Sequence, residues 1–352
     1  MKFIGIILGY YENMHLISKN YLQILGDFCD FSIFDKKNIL ITGGTGMIGS
    51  YLAESIILGC QIQGYQPLKL RIGGMSISTK QRNKFDSLGY VELSEDYLLN
   101  SKIVGINQII FHLASPASHT QYKNLDSLIS INSGCLKNIL GSHVEKFIYF
   151  STGEVYGNQP GKLLREEEHA TFASSNKRNW YPYAKLIGEE RSKELCSLFN
   201  IELTIIRLFH TFGPGVRKND GRSFADFLYA AAAGTLPTLK SKGADVRTFL
   251  FTADAVVAFV NICNQAKKFN VYNVGGETPV TIQQFAQKIS HLAGLNGEIR
   301  YDFSKEDQYI HSPNKSIIPD LTKILNLGWK NRISLDDAII ETLGYIKDNT
   351  RT

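Results

Sequence analysis

Short apolar runs alternate with longer segments of helical length along most of the chain. The runs are bounded by glycine or polar residues, which favours buried strands. They cover residues 38–42, 68–72, 108–113, 146–150 and 201–208. Apolar residues from 48 to 58 recur with helical spacing. Strands that alternate with helices predict an α/β fold with a mostly parallel, doubly wound sheet of the Rossmann type.

The two ends of the chain follow a different pattern. Residues 1–36 are typical of an irregular or partly helical extension before the first strand. After residue 213 the elements become shorter, and glycine and proline become more frequent. We therefore expect an N-terminal extension (1–36), a Rossmann domain (37–212) and a smaller C-terminal lobe (213–352).

The composition is that of an ordinary globular protein, with 43% apolar and 20% charged residues among 352. The net charge of +5 is spread along the chain, so we expect no nucleic-acid partner. No apolar run approaches the roughly 20 residues of a membrane helix, and no zinc-ligand spacing occurs, so we expect neither membrane nor metal. The cysteines are far apart, which predicts reduced thiols in a cytoplasmic protein. They are Cys29, Cys60, Cys135, Cys196 and Cys263.

A glycine-rich turn follows the first predicted strand and opens the first predicted helix. It has the sequence Gly43-Gly-Thr-Gly46-Met-Ile-Gly49. Glycines allow a tight turn and a close approach of the backbone to a pyrophosphate, and the helix N-terminus adds N–H donors there. The strand before the turn and the helix after it favour a dinucleotide site over a turn without a ligand.

The end of the second predicted strand leaves the choice between NAD and NADP open. NAD sites usually carry Asp or Glu here to bind the ribose 2′-hydroxyl. This chain continues instead as Gly73-Gly-Met-Ser76-Ile-Ser78-Thr-Lys80-Gln-Arg82, with no acidic residue. The serines, Lys80 and Arg82 are suited either to a 2′-phosphate or to a solvated basic loop.

A Tyr-x-x-x-Lys pair, Tyr181 and Lys185, is spaced so that both side chains share one face of a helix. An ammonium group lowers the pKa of a neighbouring phenol, so the pair is able to act as a base near neutral pH. Upstream, Ser151-Thr-Gly-Glu-Val-Tyr-Gly157 lies at the end of the fourth predicted strand. Open α/β sheets bind ligands at that edge, so we expect the Thr152 hydroxyl and the Glu154 carboxylate beside Tyr181.

In combination, these motifs resemble the extended short-chain dehydrogenase/reductases that act on nucleotide sugars. The resemblance covers about residues 37–347 and is closest to the UDP-glucuronate decarboxylases, with the dTDP-glucose 4,6-dehydratases also similar. Besides the glycine turn, the Ser151 motif and the Tyr-Lys pair, it rests on His112-Leu-Ala-Ser-Pro-Ala-Ser118, Arg207-Leu-Phe-His-Thr-Phe-Gly-Pro214, Asn219-Asp-Gly-Arg222, Arg247-Thr-Phe and Pro319-Asp320.

The resemblance implies a role for each matching residue. Tyr181 would remove the proton of the sugar 4-hydroxyl, and Lys185 would lower the tyrosine pKa and hold the nicotinamide ribose. Thr152 would hydrogen-bond the 4-oxygen, and Glu154 would act near C5 and C6 of the 4-keto sugar. The implied cofactor contacts are Gly43, Thr45, Gly46, Met47, Ile48, Gly49, Leu113, Ala114, Ser115, Tyr181 and Lys185. The implied substrate contacts are Ser118, His210, Arg222 and Arg247, the two arginines pairing with the diphosphate.

The chain departs from the family pattern at two positions in these motifs. Decarboxylases carry serine, and dehydratases aspartate, where this chain has Gly153. Glycine supplies neither side chain, which weighs most against dehydration. His210 replaces the usual asparagine. An imidazole there is suited either to contact the diphosphate or sugar, or to a buried, hydrogen-bonded position.

We therefore predict an NAD(P)-dependent enzyme that oxidises a nucleotide sugar at C4, with UDP-glucuronate decarboxylation as the first interpretation. The alternatives are a 4-epimerase, a 4,6-dehydratase, a 4-keto reductase and a non-catalytic nucleotide-binding member of the fold. The C-terminal lobe would bind mainly the nucleotide sugar. The resemblance also implies a homodimer through the helix that carries Tyr181.

Overall fold

A parallel β-sheet lies at the centre of the computed structural model. The structure describes residues 16–74, 77–88, 91–95, 107–116, 124–157, 159, 161–168, 177–218, 220–265, 268–304 and 315–350. The strands of this part are β1 (Asn38–Thr42), β2 (Lys69–Gly74), β3 (Val91–Glu95), β4 (Ile109–His112), β5 (Lys146–Thr152), β6 (Glu202–Leu208), β7 (Thr211–Phe212), β8 (Thr238–Leu239), β9 (Val246–Thr248), β10 (Leu250–Phe251), β11 (Phe269–Val274), β12 (Pro279–Thr281), β13 (Arg300–Tyr301) and β14 (Ser316–Ile317).

Helices cover both faces of this sheet. In chain order they are α1 (Lys19–Phe28), α2 (Met47–Gln63), α3 (Thr79–Leu88), α4 (Leu125–Ile129), α5 (Leu136–Ile139), α6 (Trp180–Phe199), α7 (Ser223–Ala232), α8 (Thr252–Cys263), α9 (Ile282–Leu292), α10 (Thr322–Leu325) and α11 (Leu335–Thr350). A π-helical turn, Ser130–Gly134, joins α4 to α5. Among the described residues, no helix has the length and apolar character needed to cross a membrane.

The central sheet confirms the predicted doubly wound α/β fold. Within the described residues it has seven strands in the order β11-β6-β5-β4-β1-β2-β3, and each neighbouring pair is parallel. All five strands expected from the apolar runs are present. The strands β3 and β11 were not among those predicted from the apolar runs. Because β11 follows residue 213, the sheet draws a strand from the region assigned mainly to the C-terminal lobe, and the domain division stays a prediction.

The helix that follows the glycine turn, α2, is buried on nearly all sides. The sheet covers one face, and α1 and α8 pack on it from outside. The Glu54 carboxylate accepts hydrogen bonds from the backbone N–H groups of Leu16 (2.9 Å) and Ile17 (3.4 Å). Phe31 is fully buried and presses on Gly59, where a Cβ atom would lie 2.6 Å from the ring carbon Cδ2. Residues 16–36 are therefore part of the core around α2.

A smaller set of short strands forms sheets separate from the main one. The strand order β12-β9-β14 makes one small sheet, and the pairs β10-β7 and β13-β8 make two more. Helices α7, α9 and α11 pack against one another beside them. A buried ion pair between Arg207 on β6 and Glu189 on α6, with Nη2 and Oε2 2.9 Å apart, fixes the neighbouring end of the main sheet. This arrangement places the segments after β6 and the strand β14 over the sheet edge.

Candidate active site

A cavity of about 610 Å³ opens at the carboxyl ends of the central strands. This is the edge at which open α/β sheets bind their ligands. The structure brings most of the predicted site residues into its wall: Gly43, Thr45, Gly46, Met47, Ile48, Gly49, Leu113, Ala114, Ser115, Thr152, Glu154, Tyr181, Lys185, His210 and Arg222. The motifs found along the sequence thus converge on one place.

One of the predicted substrate contacts stands apart from this wall. Arg247 is not among the residues that line the cavity. Its side chain is buried and donates from Nη1 to the carbonyl oxygens of Val246 (2.8 Å) and Lys315 (3.3 Å). Ser118 lies outside the described residues, as do Ser76 and the side chain of Lys80 from the basic loop. Their roles stay predictions.

The glycine turn forms a cradle that leaves no room for side chains. Gly43 has a φ of 68°, and a Cβ atom there would lie 2.8 Å from the backbone nitrogen of Ala114 at the end of β4. A Cβ atom on Gly49 would lie 2.8 Å from the Cα atom of Gly44. Gly46 occupies the N-cap position of α2, so the first-turn N–H groups face the cavity without a capping side chain. These features fit the pyrophosphate of a dinucleotide.

Two side chains donate hydrogen bonds to the carbonyl oxygen of Thr45 in the glycine turn. It accepts a hydrogen bond from Gln81 Nε2 on α3 (2.8 Å) and another from Arg217 Nη2 (2.9 Å). Arg217 follows the Arg207–Pro214 motif, and sequence reasoning did not identify it. The segment after β6 is therefore tied directly to the predicted cofactor loop.

Lys185 is buried below Tyr181, with 2% of its surface exposed. Its Nζ atom donates to the carbonyl oxygen of Phe150 at 2.7 Å. The same atom lies 5.2 Å from the ring centroid of Tyr149 and 6.0 Å from that of Tyr181. Burial lowers the pKa of Lys185 to about 7. An ammonium group at this position favours the phenolate form of Tyr181.

A buried polar layer fixes the position of α6 and hence of Lys185. The Tyr149 hydroxyl donates to the carbonyl oxygens of Asn132 (3.2 Å) and Lys185 (3.4 Å). Gly188 gives it space, because a Cβ atom there would overlap the hydroxyl oxygen. His112 pairs through Nδ1 with Thr42 Oγ1 at 2.8 Å, and burial, with repulsion from Lys185, lowers its pKa to about 3. His112 is therefore a neutral member of this layer.

Thr152, at the end of β5, and Glu154, in the turn that follows, line the same cavity as Tyr181. The Thr152 hydroxyl accepts from the backbone N–H of Glu154 at 3.3 Å, which orients the turn. Arg178, in the turn before α6, places Nη2 3.8 Å from Glu154 Oε1. Arg178, which precedes Tyr181 by only one helical turn, was not predicted as a site residue.

Arg222 reaches the cavity paired with an acidic neighbour. Its Nη2 donates to Asp220 Oδ2 at 2.8 Å, and its Nε donates to the other carboxylate oxygen. The guanidinium also lies 4.7 Å from the ring centroid of Phe224. An incoming phosphate would therefore meet a guanidinium that is held in place by a carboxylate and an aromatic ring.

Several lining residues were not predicted as ligand contacts. Many are apolar, and the sequence alone does not show whether an apolar residue lines a cavity or packs in the core. They are Gly74, Pro116, Ile131, Phe150, Ser151, Gly153, Leu208, Phe209, Thr211, Arg217, Asp220 and Ile317. Within the described residues, no group of three or more His, Cys, Asp or Glu side chains is placed to hold a metal ion.

The profile of the NAD dependent epimerase/dehydratase family matches residues 39–275. This span holds the glycine turn, the Thr152 turn and the Tyr181-Lys185 pair. The chain belongs to this family. Membership confirms the predicted enzyme class and NAD as the cofactor of the family, and the cradle around Gly43 fits that cofactor.

Named relatives within this family act on carboxylated sugars. The chain is 29% identical over 343 residues to UDP-glucuronic acid decarboxylase 1 of Xenopus tropicalis, covering 96% of this chain and 78% of that protein. It is 27% identical over 333 residues to UDP-N-acetyl-alpha-D-glucosaminuronate decarboxylase of Bacillus cytotoxicus, covering 89% of this chain and 98% of the relative.

The fold also matches solved structures. UDP-glucuronic acid 4-epimerase of Bacillus cereus, solved with UDP-glucuronic acid and NAD, superposes with a TM-score of 0.72 at 21% identity. The match covers 89% of this chain and 99% of that structure. At this identity the likeness shows the shared fold.

Proposed function

We propose that this protein binds NAD and a UDP-linked sugar in the cavity and decarboxylates UDP-glucuronate after oxidation at C4. The observation that carries the proposal is that Tyr181, Lys185, Thr152 and Glu154 line the same cavity as the glycine turn. The two decarboxylase relatives support a carboxylated substrate.

The residues divide the proposed chemistry among them. Tyr181 takes the proton of the sugar 4-hydroxyl, and the Lys185 ammonium stabilises the phenolate that does so. NAD held at the glycine turn would supply a hydride acceptor for C4 and a hydride donor for the later reduction. The resulting 4-ketone takes up the electron pair of the C5–C6 bond as carbon dioxide leaves. The Thr152 hydroxyl donates to O4, where negative charge then develops. A proton that comes ultimately from water is added at C5, and the ketone is then reduced again with return of the Tyr181 proton to O4.

A 4-epimerase is the second candidate because of Gly153. Epimerisation needs proton removal and return at O4, which Tyr181, Lys185 and Thr152 provide. It needs no acidic or hydroxyl side chain for a later step, and Gly153 supplies none.

The deciding experiment is mass spectrometry of purified protein incubated with UDP-glucuronate and with a panel of UDP-, dTDP-, GDP- and CDP-hexoses. Denaturing the starting sample first releases and identifies any retained NAD or NADP. Loss of carbon dioxide from UDP-glucuronate supports the proposal. Unchanged mass with altered chromatography assigns the epimerase, and loss of water assigns a dehydratase. A requirement for added NADPH assigns a reductase.

We also propose that the protein forms a homodimer through α6. Tyr183 and Ile187, spaced one turn apart on that helix, are 38% and 41% exposed, which supports an apolar contact with a second copy. Light scattering at micromolar concentration tests this, and a monomer mass contradicts it.

We propose that the protein resides in the cytoplasm, because all five of its cysteine thiols are buried and unpaired.

A further inference from the structure

His210 lies two residues after the end of β6, in the cavity wall, at the position where the sequence resemblance implies asparagine. Its carbonyl oxygen accepts from the backbone N–H of Leu250 at 2.8 Å, and its ring centroid lies 5.9 Å from that of Phe249. These contacts hold the backbone and one edge of the ring. The Nδ1 atom is buried and has no hydrogen-bond partner among the described residues. A fixed ring with an unused polar atom in a cavity wall is suited to a ligand.

The positive charges of three arginines act on this ring, and each arginine has an acidic neighbour. Arg178 lies 3.8 Å from Glu154, and Arg222 is paired with Asp220. The third, Arg247, has Nη2 3.6 Å from Asp245, a carboxylate that is also 3.6 Å from Lys315 Nζ.

The balance of these charges acts against a proton on His210. Burial, and then the positive charges of Arg247, Arg222 and Arg178, hold the pKa of His210 well below its ordinary value of 6.5. Without an anion in the cavity, the imidazole is therefore neutral at neutral pH.

We propose that His210 takes up a proton when the diphosphate of the nucleotide sugar binds, and then donates from Nδ1 to a phosphate oxygen. The inference rests on the proposed function, because it needs a diphosphate beside Arg222. Two negative charges arriving there offset the arginines and give Nδ1 an acceptor. Both effects stabilise the imidazolium form. An asparagine amide would donate a neutral hydrogen bond at the same place with no exchange of protons.

The direction of the pH dependence follows from linkage. The pKa of His210 is low in the free protein and higher in the complex. Between these two values, the complex holds more protons than the separated partners, so binding strengthens as pH falls. The gain approaches about tenfold per pH unit at its steepest.

The test is isothermal titration calorimetry of NAD-loaded protein with UDP-glucuronate, from about pH 6 to about pH 8. Each titration is done in two buffers of different ionisation enthalpy, which reports the number of protons exchanged. The Tyr181→Phe background prevents turnover. A nucleotide sugar is used rather than UDP because its diphosphate has no terminal phosphate that titrates near neutrality.

His210→Asn and His210→Gln are compared in that background, since their amides replace Nδ1 and Nε2 respectively without a titratable ring. His291→Asn, an exposed histidine at the end of α9, is the matched control. We expect proton uptake that rises as pH falls in the parent and in His291→Asn. Both His210 variants are expected to bind without that uptake, and their affinities to change little with pH.

Two outcomes overturn the inference alone: binding without proton uptake in the parent, or the same uptake in a folded His210 variant. If neither His210 variant folds, ¹⁵N-histidine NMR of the parent with and without UDP-glucuronate decides. A ring that stays neutral in the complex contradicts the proposal. Absence of binding heat with UDP-glucuronate and with UDP-glucose overturns the proposed function itself, and the inference with it.

Discussion

A Cβ atom on Gly153 would lie 2.7 Å from Cε1 of Phe209. Two further atoms of the ring, Cδ1 and Cζ, would lie within 2.9 Å of the same point. Both residues line the cavity, and the ring is 4% exposed. The Phe209 ring therefore packs directly on the turn between Thr152 and Glu154, in the space that a serine or aspartate side chain at position 153 would need.

Gly153→Ser is expected to lower the free energy of unfolding by about 1–3 kcal/mol, because the new side chain must displace the Phe209 ring. Urea unfolding measures the change. Gly344→Ser on α11 is the control, since a Cβ atom there meets no atom within 4 Å. Adding Phe209→Leu should recover part of the loss. A Gly153→Ser protein as stable as the parent would show that the ring moves at little cost.

Tyr181→Phe is expected to reduce kcat by about 10²–10⁴-fold, because phenylalanine cannot take the proton of the 4-hydroxyl. The Lys185 contacts and the fold should persist, so circular dichroism and nucleotide-sugar binding serve as checks. Tyr183→Phe, two residues along the same helix and 38% exposed, is the matched control and should keep its activity. Retained activity in Tyr181→Phe would remove this residue from the proposed mechanism.

Lys185→Met should change the pH dependence of stability. Below about pH 7 the lysine is charged in both the folded and the unfolded chain, so the cost of burying the charge is present in full. Between pH 7 and 10.5 the folded chain holds a neutral amine while the unfolded chain remains charged, so the parent becomes more stable as pH rises. The methionine variant lacks this gain. The free energy of unfolding of Lys185→Met minus that of the parent should therefore decrease as pH rises from 7 to 10.5, by up to about 1.4 kcal/mol per pH unit.

Urea unfolding of NAD-free protein at several pH values measures that difference for Lys185→Met. Lys193→Met is the control, because its side chain is 38% exposed on the same helix. Parallel stability curves for the parent and Lys185→Met would mean that Lys185 titrates alike in the folded and unfolded chains.

Glu54→Leu should loosen residues 16–36 from α2. Leucine leaves the N–H groups of Leu16 and Ile17 without their acceptor, at a cost of about 1–3 kcal/mol for each buried group. Glu54→Gln keeps an acceptor oxygen and should lose much less. Limited proteolysis followed by mass spectrometry is the measurement, with faster cleavage near residues 16–30 expected only for leucine. Equal cleavage rates for both variants would contradict the anchoring role.

The sequence predicted those parts of the fold that local pattern determines. The glycine turn, the strands before and after it and the Tyr181-Lys185 helix all have signatures in neighbouring residues. Family membership confirmed what they imply about enzyme class and cofactor. The strand β11, Phe269–Val274, was missed because it lies after residue 213, in the region assigned mainly to the C-terminal lobe, and its partner β6 is distant in the chain.

The cavity wall was harder to predict because several of its contacts depend on the three-dimensional fold. Arg217 and Gln81 meet at the Thr45 carbonyl only after the chain has folded. Arg247 matched a family motif, yet its guanidinium is engaged by backbone carbonyls outside the wall. Residue type shows which chemistry is available, whereas the direction of a side chain depends on its packing.

The burial of α2 beneath residues 16–36 affects how this chain can be divided. The family match begins at residue 39, after the segment that covers the outer face of the helix next to the glycine turn. A fragment trimmed to residues 39–275 would turn that interior face, including Tyr51 and Gly59, into a water-exposed apolar surface. The part of the chain that matches the family and the part that folds as one unit therefore begin at different residues. A minimal active fragment should start before Leu16, because a shorter one would associate with itself instead of folding independently.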